Sequence, residues 1–171
     1  MRKILYILIF LSLLWGVKLT GASTEVPAED YYISFVLDEG KFVKVEMKEP
    51  LYGKQQYVIE LKHPILKREG TFYIPADFFI NYLGSRLIET EEKIVLVFRQ
   101  GTPYEEKYVG NFIGTSVVLT NPQGEKVSGF LYIDYQFSDV AVYFSERIFS
   151  LIGIPVEGEE GKKKITLELV F

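Results

Sequence analysis

One histidine, no cysteine and 23 acidic residues set the chemistry open to this 171-residue chain. Copper and zinc catalysis usually draws on several imidazoles or thiolates, so His63 alone cannot assemble such a centre. A Ser-His-Asp arrangement needs a single histidine. No serine here stands in a nucleophile-elbow context, however, and His63 sits beside Pro64 at a strand end, which fits a surface or capping role. Asp77, Asp134, Asp139, Glu146 and Glu157 could supply the carboxylate pair of a glycosidase, but no motif places any of them. The Glu157-Gly158-Glu159-Glu160-Gly161 run offers hard oxygens to calcium without the alternating ligand spacing of a dedicated loop, and reads as a solvated acidic turn. Gly110 and Gly114 lie between strand-like residues and suit bulge or turn positions, not a phosphate loop. The chain is therefore expected not to be an enzyme and to need no metal or cofactor.

Aromatic content is the remaining handle on function. The chain has 12 tyrosines and 13 phenylalanines. A tyrosine offers a flat apolar face and a hydroxyl, which suits sugar stacking or a protein interface. Tyr31, Tyr52, Tyr104, Tyr108 and Tyr135 are the candidate binding residues, with Tyr32, Tyr57 and Tyr132 beside them.

The elements that must position these residues begin after the N-terminal segment. Met1-Arg2-Lys3 is basic, Ile4 to Val17 is apolar apart from Ser12 and Gly16, and Thr20-Gly21-Ala22 offers small residues for cleavage, so residues 1–22 read as a secretory signal peptide. The apolar core is short for a span of about 20 residues, and no later segment could span a membrane. Residues 23–30, with Pro27, read as a flexible lead-in. Removing the leader takes Arg2, Lys3 and Lys18 but no acid, which moves the net charge from −4 to 16 − 23 = −7. A chain this acidic is a poor nucleic-acid binder, since Lys162-Lys163-Lys164 is its only compact basic run and stands beside Glu157, Glu159 and Glu160. Absence of cysteine from an exported chain excludes a disulfide framework and leaves stability to packing.

The stretch Gly70 to Phe98, GTFYIPADFFINYLGSRLIETEEKIVLVF, carries strand, helix and strand signals without a gap. Phe72-Tyr73-Ile74 is strand-like, and Pro75 is tolerated in a first helical turn. Phe78, Phe79, Tyr82 and Leu83 form a helical apolar face, Gly84 stops the helix, and Ile94 to Phe98 suits a buried strand. Upstream, Tyr31 to Leu37 and Phe42 to Met47 flank Asp38-Glu39-Gly40-Lys41 as a hairpin, and Gln56 to Leu61 returns as another strand. Gln100 to Glu106 reads as a loop. After it come strand-like Phe112-Ile113 and Val117 to Leu119, the turn Asn121 to Gly124, a strand Val127 to Ile133, another from Val140 to Phe144, and a helix that Ser145 can cap. Leu83-Gly84 superposes on Ile152-Gly153 at an offset of 69 residues, and Ile94 to Phe98 on Ile165 to Leu169 at 71. A unit of roughly 70 residues is thus duplicated, with copies at 31–99 and 100–171. The expected fold class is α+β, with antiparallel β-sheets each packed against a short helix.

The first copy resembles the copper amine oxidase N-terminal-domain-like family, at Gly70, Tyr73-Ile74-Pro75, Leu83-Gly84 and the hairpin from Glu89 to Phe98. The second copy keeps Ile152-Gly153, Val156 and the last strand, with Phe144 where the proline would stand. The chain departs from the family's Leu-Arg pair with Ala76-Asp77 in one copy and Ser145-Glu146 in the other. Gly70, Pro75, Leu83, Gly84 and Gly153 are structural positions of that motif. The resemblance implies an accessory, non-catalytic domain of an exported or envelope-associated bacterial protein. The expected function is an extracytoplasmic binding or structural module of the cell envelope, secreted or envelope-associated, whose partner is an envelope glycan or protein. The alternatives are an inhibitor-like or regulatory partner of an exported enzyme, acting through an edge strand or the 100–106 loop, and a small secreted hydrolase using Asp77 and Glu146.

Overall fold

The computed structural model describes residues 32–49, 53–134, 139–158 and 161–168; residues 1–22 and 23–30, read above as a leader and a lead-in, lie outside them. In chain order the elements are β1 (Tyr32–Leu37), β2 (Gly40–Glu49), β3 (Gly53–Arg68), β4 (Thr71–Pro75), α1 (Ala76–Tyr82), β5 (Arg86–Glu89) and β6 (Lys93–Phe98). Then come β7 (Glu106–Ile113), β8 (Ser116–Thr120), β9 (Lys126–Asp134), β10 (Asp139–Ser145), α2 (Arg147–Leu151), β11 (Val156–Glu157) and β12 (Lys163–Glu168). Each half therefore has six strands, with a helix after the fourth.

All twelve strands join one antiparallel sheet in the order β11-β12-β1-β2-β3-β4-β10-β9-β8-β7-β6-β5. This overturns the expected α+β arrangement of two sheets each with its own helix. The helices are only 7 and 5 residues long, and much chain that reads as loop is strand. β3 runs 16 residues, through His63-Pro64, and β7 begins at Glu106.

Replacing each strand of the first half by its counterpart in the second turns that strand order into its own reverse, so the sheet has an approximate two-fold relation. The axis passes between β4 and β10, where Ile74 faces Phe144. The last strand of each half pairs with the first strand of the other, β6 with β7 and β12 with β1. Neither half closes its own sheet.

Inner faces from both halves enter one core, so the sheet must curve around the two helices. Phe35 of β1 meets Phe78 of α1 edge-on at 5.3 Å, Phe79 stacks on Phe149 of α2 at 5.3 Å, and Phe98 of β6 meets Phe79 at 6.1 Å. Gly84 and Gly153 end the helices at φ of +61° and +77°, values in which a Cβ is strained. Pro75 ends β4 and caps α1 from outside it, while Glu146, not Ser145, is the N-cap of α2 and makes no side-chain capping bond. Ser145 is instead the last residue of β10.

Candidate functional site

The β2–β3 pairing places Gly40 opposite Ile65 and Phe42 opposite Glu60, so residues 61–64 bulge where β3 leaves β2 to join β4. Bulges re-aim side chains and accommodate proline, and this one carries His63-Pro64. His63 Nδ1 lies 3.3 Å from Asp77 Oδ1 in the first turn of α1, and Nε2 lies 2.8 Å from Asp139 Oδ2 at the start of β10. Lys62 Nζ donates to the other oxygen of Asp139 at 3.1 Å. The His63 and Lys62 hydrogen bonds hold the Asp139 carboxyl below its ordinary range. A ring carrying both protons donates to both carboxylates, whereas a neutral ring can donate to only one. With both nitrogens so engaged, His63 has none directed at a substrate, and the group works as a clasp between β3, α1 and β10. The surface or capping role expected for His63 is thus corrected to a half-buried ion cluster.

The clasp borders an aromatic row on the sheet face away from the core. Phe144, Val142, Phe72 and Ile74 point inward, and their alternates point out. Tyr143 stacks on Phe130 at 5.2 Å with 8° between the rings; Tyr73 meets Phe130 at 5.1 Å, and the Arg68 guanidinium lies 4.0 Å from the Phe130 centroid. Tyr132 meets Tyr143 edge-on at 6.2 Å. Tyr143 is fully buried with its hydroxyl unpartnered, and burial, with the Asp77 charge next, pushes its phenol upward.

Beyond Tyr73, at the other end of this row, opens a polar cavity of about 430 Å³, lined by Thr71, Tyr73, Ser128, Ser145, Glu146 and Lys163, with Arg147 also bordering it. Glu146 Oε2 is buried and has no hydrogen-bond partner. Lys163 Nζ stands 3.9 Å from Glu146 Oε1, an ion pair too long for a hydrogen bond. Burial pushes the Glu146 carboxyl up, against the pull of Lys163, the Phe72 backbone and Lys67.

The cavity and the clasp are two-fold counterparts. Asp77 and Glu146 differ by the same 69 residues as Gly84 and Gly153, and each keeps one buried, unpartnered oxygen. His63 lies on β3 and Asp139 opens β10; their counterpart strands β9 and β4 give Ser128 and Thr71 to the cavity. One half fills the space beside its acid with an imidazole. The other leaves it open.

Of the tyrosines proposed for binding, Tyr31, Tyr52 and Tyr135 lie outside the described residues. Tyr104 is 58% exposed, in the turn between β6 and β7. Tyr108 is a core residue: it is fully buried and packs edge-on against Phe98 at 5.8 Å. Burial raises its phenol to about 12, which corrects the expectation of a binding face there. Gly70 (φ +79°) serves the β3–β4 turn, and Leu83 is buried at the end of α1. Asp77 and Glu146, proposed as a hydrolase pair, stand in separate clusters and do not line one cavity. No group of three or more potential metal-ligating residues is found among the described residues. Tyr73, Ser128, Ser145 and Lys163 carry no sequence signal of binding, because strands far apart in the chain bring them together. No family model matches the chain, and neither a curated protein nor a solved structure matches it.

Proposed function

We propose that this protein is an exported, non-catalytic binding module of the bacterial cell envelope and that its ligand is an envelope glycan. The observation that carries this reading is the polar cavity at the end of an outward aromatic row, where hydroxyls, a carboxylate and an ammonium stand around Tyr73. The leader-like residues 1–22 and the resemblance of Gly70 to Phe98 to an accessory envelope domain support the location. No helix among the described residues is long and apolar enough to cross a membrane.

The alternatives have less support. A partner strand would gain few backbone hydrogen bonds at the ends of the sheet, where β5 has four residues and β11 two. The longer open flank is that of β3, which pairs with β4 only from Leu66 to Arg68 and carries Lys54, Glu60 and Lys62, charges that blunt an edge. A carboxylate-pair hydrolase needs two acids facing one bond, whereas Glu146 is the acid of the cavity and Asp77 is engaged with His63.

Co-sedimentation of the purified protein with isolated envelopes, and with envelope glycan freed of protein, tests the proposal. Pelleting with the glycan alone supports it. Pelleting only with protein-bearing envelopes replaces the glycan by a protein partner, and remaining in solution with both rejects envelope binding.

A further inference from the structure

We propose that the Glu146 cavity seats a sugar ring through two neighbouring hydroxyls, one donating to Glu146 Oε1 and the next accepting from Lys163 Nζ. This rests on the glycan-binding reading above and adds the place and the mode of contact.

The two-fold relation supplies an internal comparison. In the clasp, the space beside Asp77 is filled by a ring whose nitrogens face carboxylates, at 3.3 and 2.8 Å. In the counterpart, no imidazole stands beside Glu146: the Lys163 ammonium is 3.9 Å from Oε1, and the strand corresponding to that of His63 contributes the small Ser128. Glu146 Oε1 and Lys163 Nζ thus stand beyond hydrogen-bond distance, so the cavity is suited to a ligand that brings both a donor and an acceptor.

The surrounding groups narrow that ligand. A cation would meet Lys163 and Arg147, and an anion would meet Glu146. A neutral polyol avoids both conflicts. Glu146 accepts only and Lys163 donates only, and their 3.9 Å separation leaves an acceptor and a donor side by side without a direct bond. Adjacent hydroxyls on a sugar ring can satisfy such a pair, one donating and one accepting. Thr71, Ser128 and Ser145 can do either toward the remaining hydroxyls, and Tyr73 offers an aromatic wall. A volume of about 430 Å³ lies toward the lower end of the roughly 300–1,000 Å³ usual for small-ligand sites.

The test pellets the full-length protein with protein-free envelope glycan, beside Glu146→Leu, Ser128→Trp and Ile113→Ala variants, with thermal melting used to verify folding. Glu146→Leu removes the acceptor and should weaken retention about tenfold or more, the loss expected for one hydrogen bond to a charged group. Ser128→Trp fills the cavity and should weaken it at least as much, while Ile113→Ala, at the exposed end of β7, should pellet like the original protein. If the original protein pellets and folded Glu146→Leu pellets equally well, the sugar seat is overturned and glycan binding stands. If the original protein does not pellet, both fall. Should Ser128→Trp fail to fold, Glu146→Leu decides alone.

Discussion

Asp77 and Glu146 stand at corresponding points of the two halves, 69 residues apart, each with one carboxylate oxygen buried and unpartnered. Only the occupant beside them differs. Asp77 has the His63 imidazole at 3.3 Å, and Glu146 has the ammonium of Lys163 at 3.9 Å. The same position in the repeat thus acts as a structural fastening in one half and as the acid of an open cavity in the other.

Removing the fastening should destabilise the protein. His63→Ala leaves Asp77, whose side chain is 18% exposed, without its partner, and a buried group left unsatisfied typically costs about 1–3 kcal/mol. Urea unfolding measures this. In a double-mutant cycle, Asp77→Ala made on top of His63→Ala should cost less than Asp77→Ala made alone.

Acid should weaken the clasp from the Asp139 side. The folded carboxyl titrates below its ordinary value because His63 and Lys62 hydrogen-bond to it. Its stabilisation is therefore complete above the unfolded pKa of about 3.9 and is lost as pH falls through the lower folded value. Unfolding midpoints tracked from pH 5 to pH 2 should drop along this limb, and the drop should be smaller in Asp139→Asn.

Glu146 should behave with the opposite sign. Its folded pKa lies above the unfolded one, so its favourable contribution is present below the unfolded pKa and disappears as pH rises through the folded value. Glu146→Leu should then be more stable than the original protein at pH 7, by about 0.5–2 kcal/mol, the usual gain when a functional-site penalty is relieved. Equal stability at pH 7 would contradict a net burial penalty on the carboxylate there.

Gly129 should tolerate no side chain. It lies opposite Phe144 in the β9–β10 pair, and a Cβ there would collide with the Tyr143 carbonyl oxygen and press on the Phe144 ring. Gly129→Ala should cost about 1–3 kcal/mol through backbone displacement, readable as a lowered melting temperature. Gly124→Ala is a useful comparison, because a Cβ there meets no atom and only the φ of +83° is strained.

The apolar framework is legible in the sequence where period and punctuation agree. Val43, Val45 and Met47 alternate and are buried, Phe78 and Phe79 face the core, and Gly84 and Gly153 stop their helices. Local signals mislead where strand pairing overrules them. His63-Pro64 looks like a strand end, but a bulge carries β3 past it, and Tyr108 sits on a strand whose first residue looks like loop. The carboxylates Asp77, Asp139 and Glu146 are visible in the sequence as residues without partners. His63 meets Asp139 across 76 positions of sequence, and no local pattern records such a contact. The repeat offset is the one available clue, because it sets Glu146 where Asp77 stands.

The reciprocal pairing of β6 with β7 and β12 with β1 also governs the order of assembly. Tyr32 pairs with Glu168, so one flank of β1 waits for almost the whole described chain before its hydrogen bonds can form. Such a long loop closure slows folding, and until it happens β1 is an open edge able to pair with another molecule. The β12–β1 seam is thus a kinetic weak point: substitutions that loosen it should promote aggregation during refolding more than they lower the stability of the finished sheet.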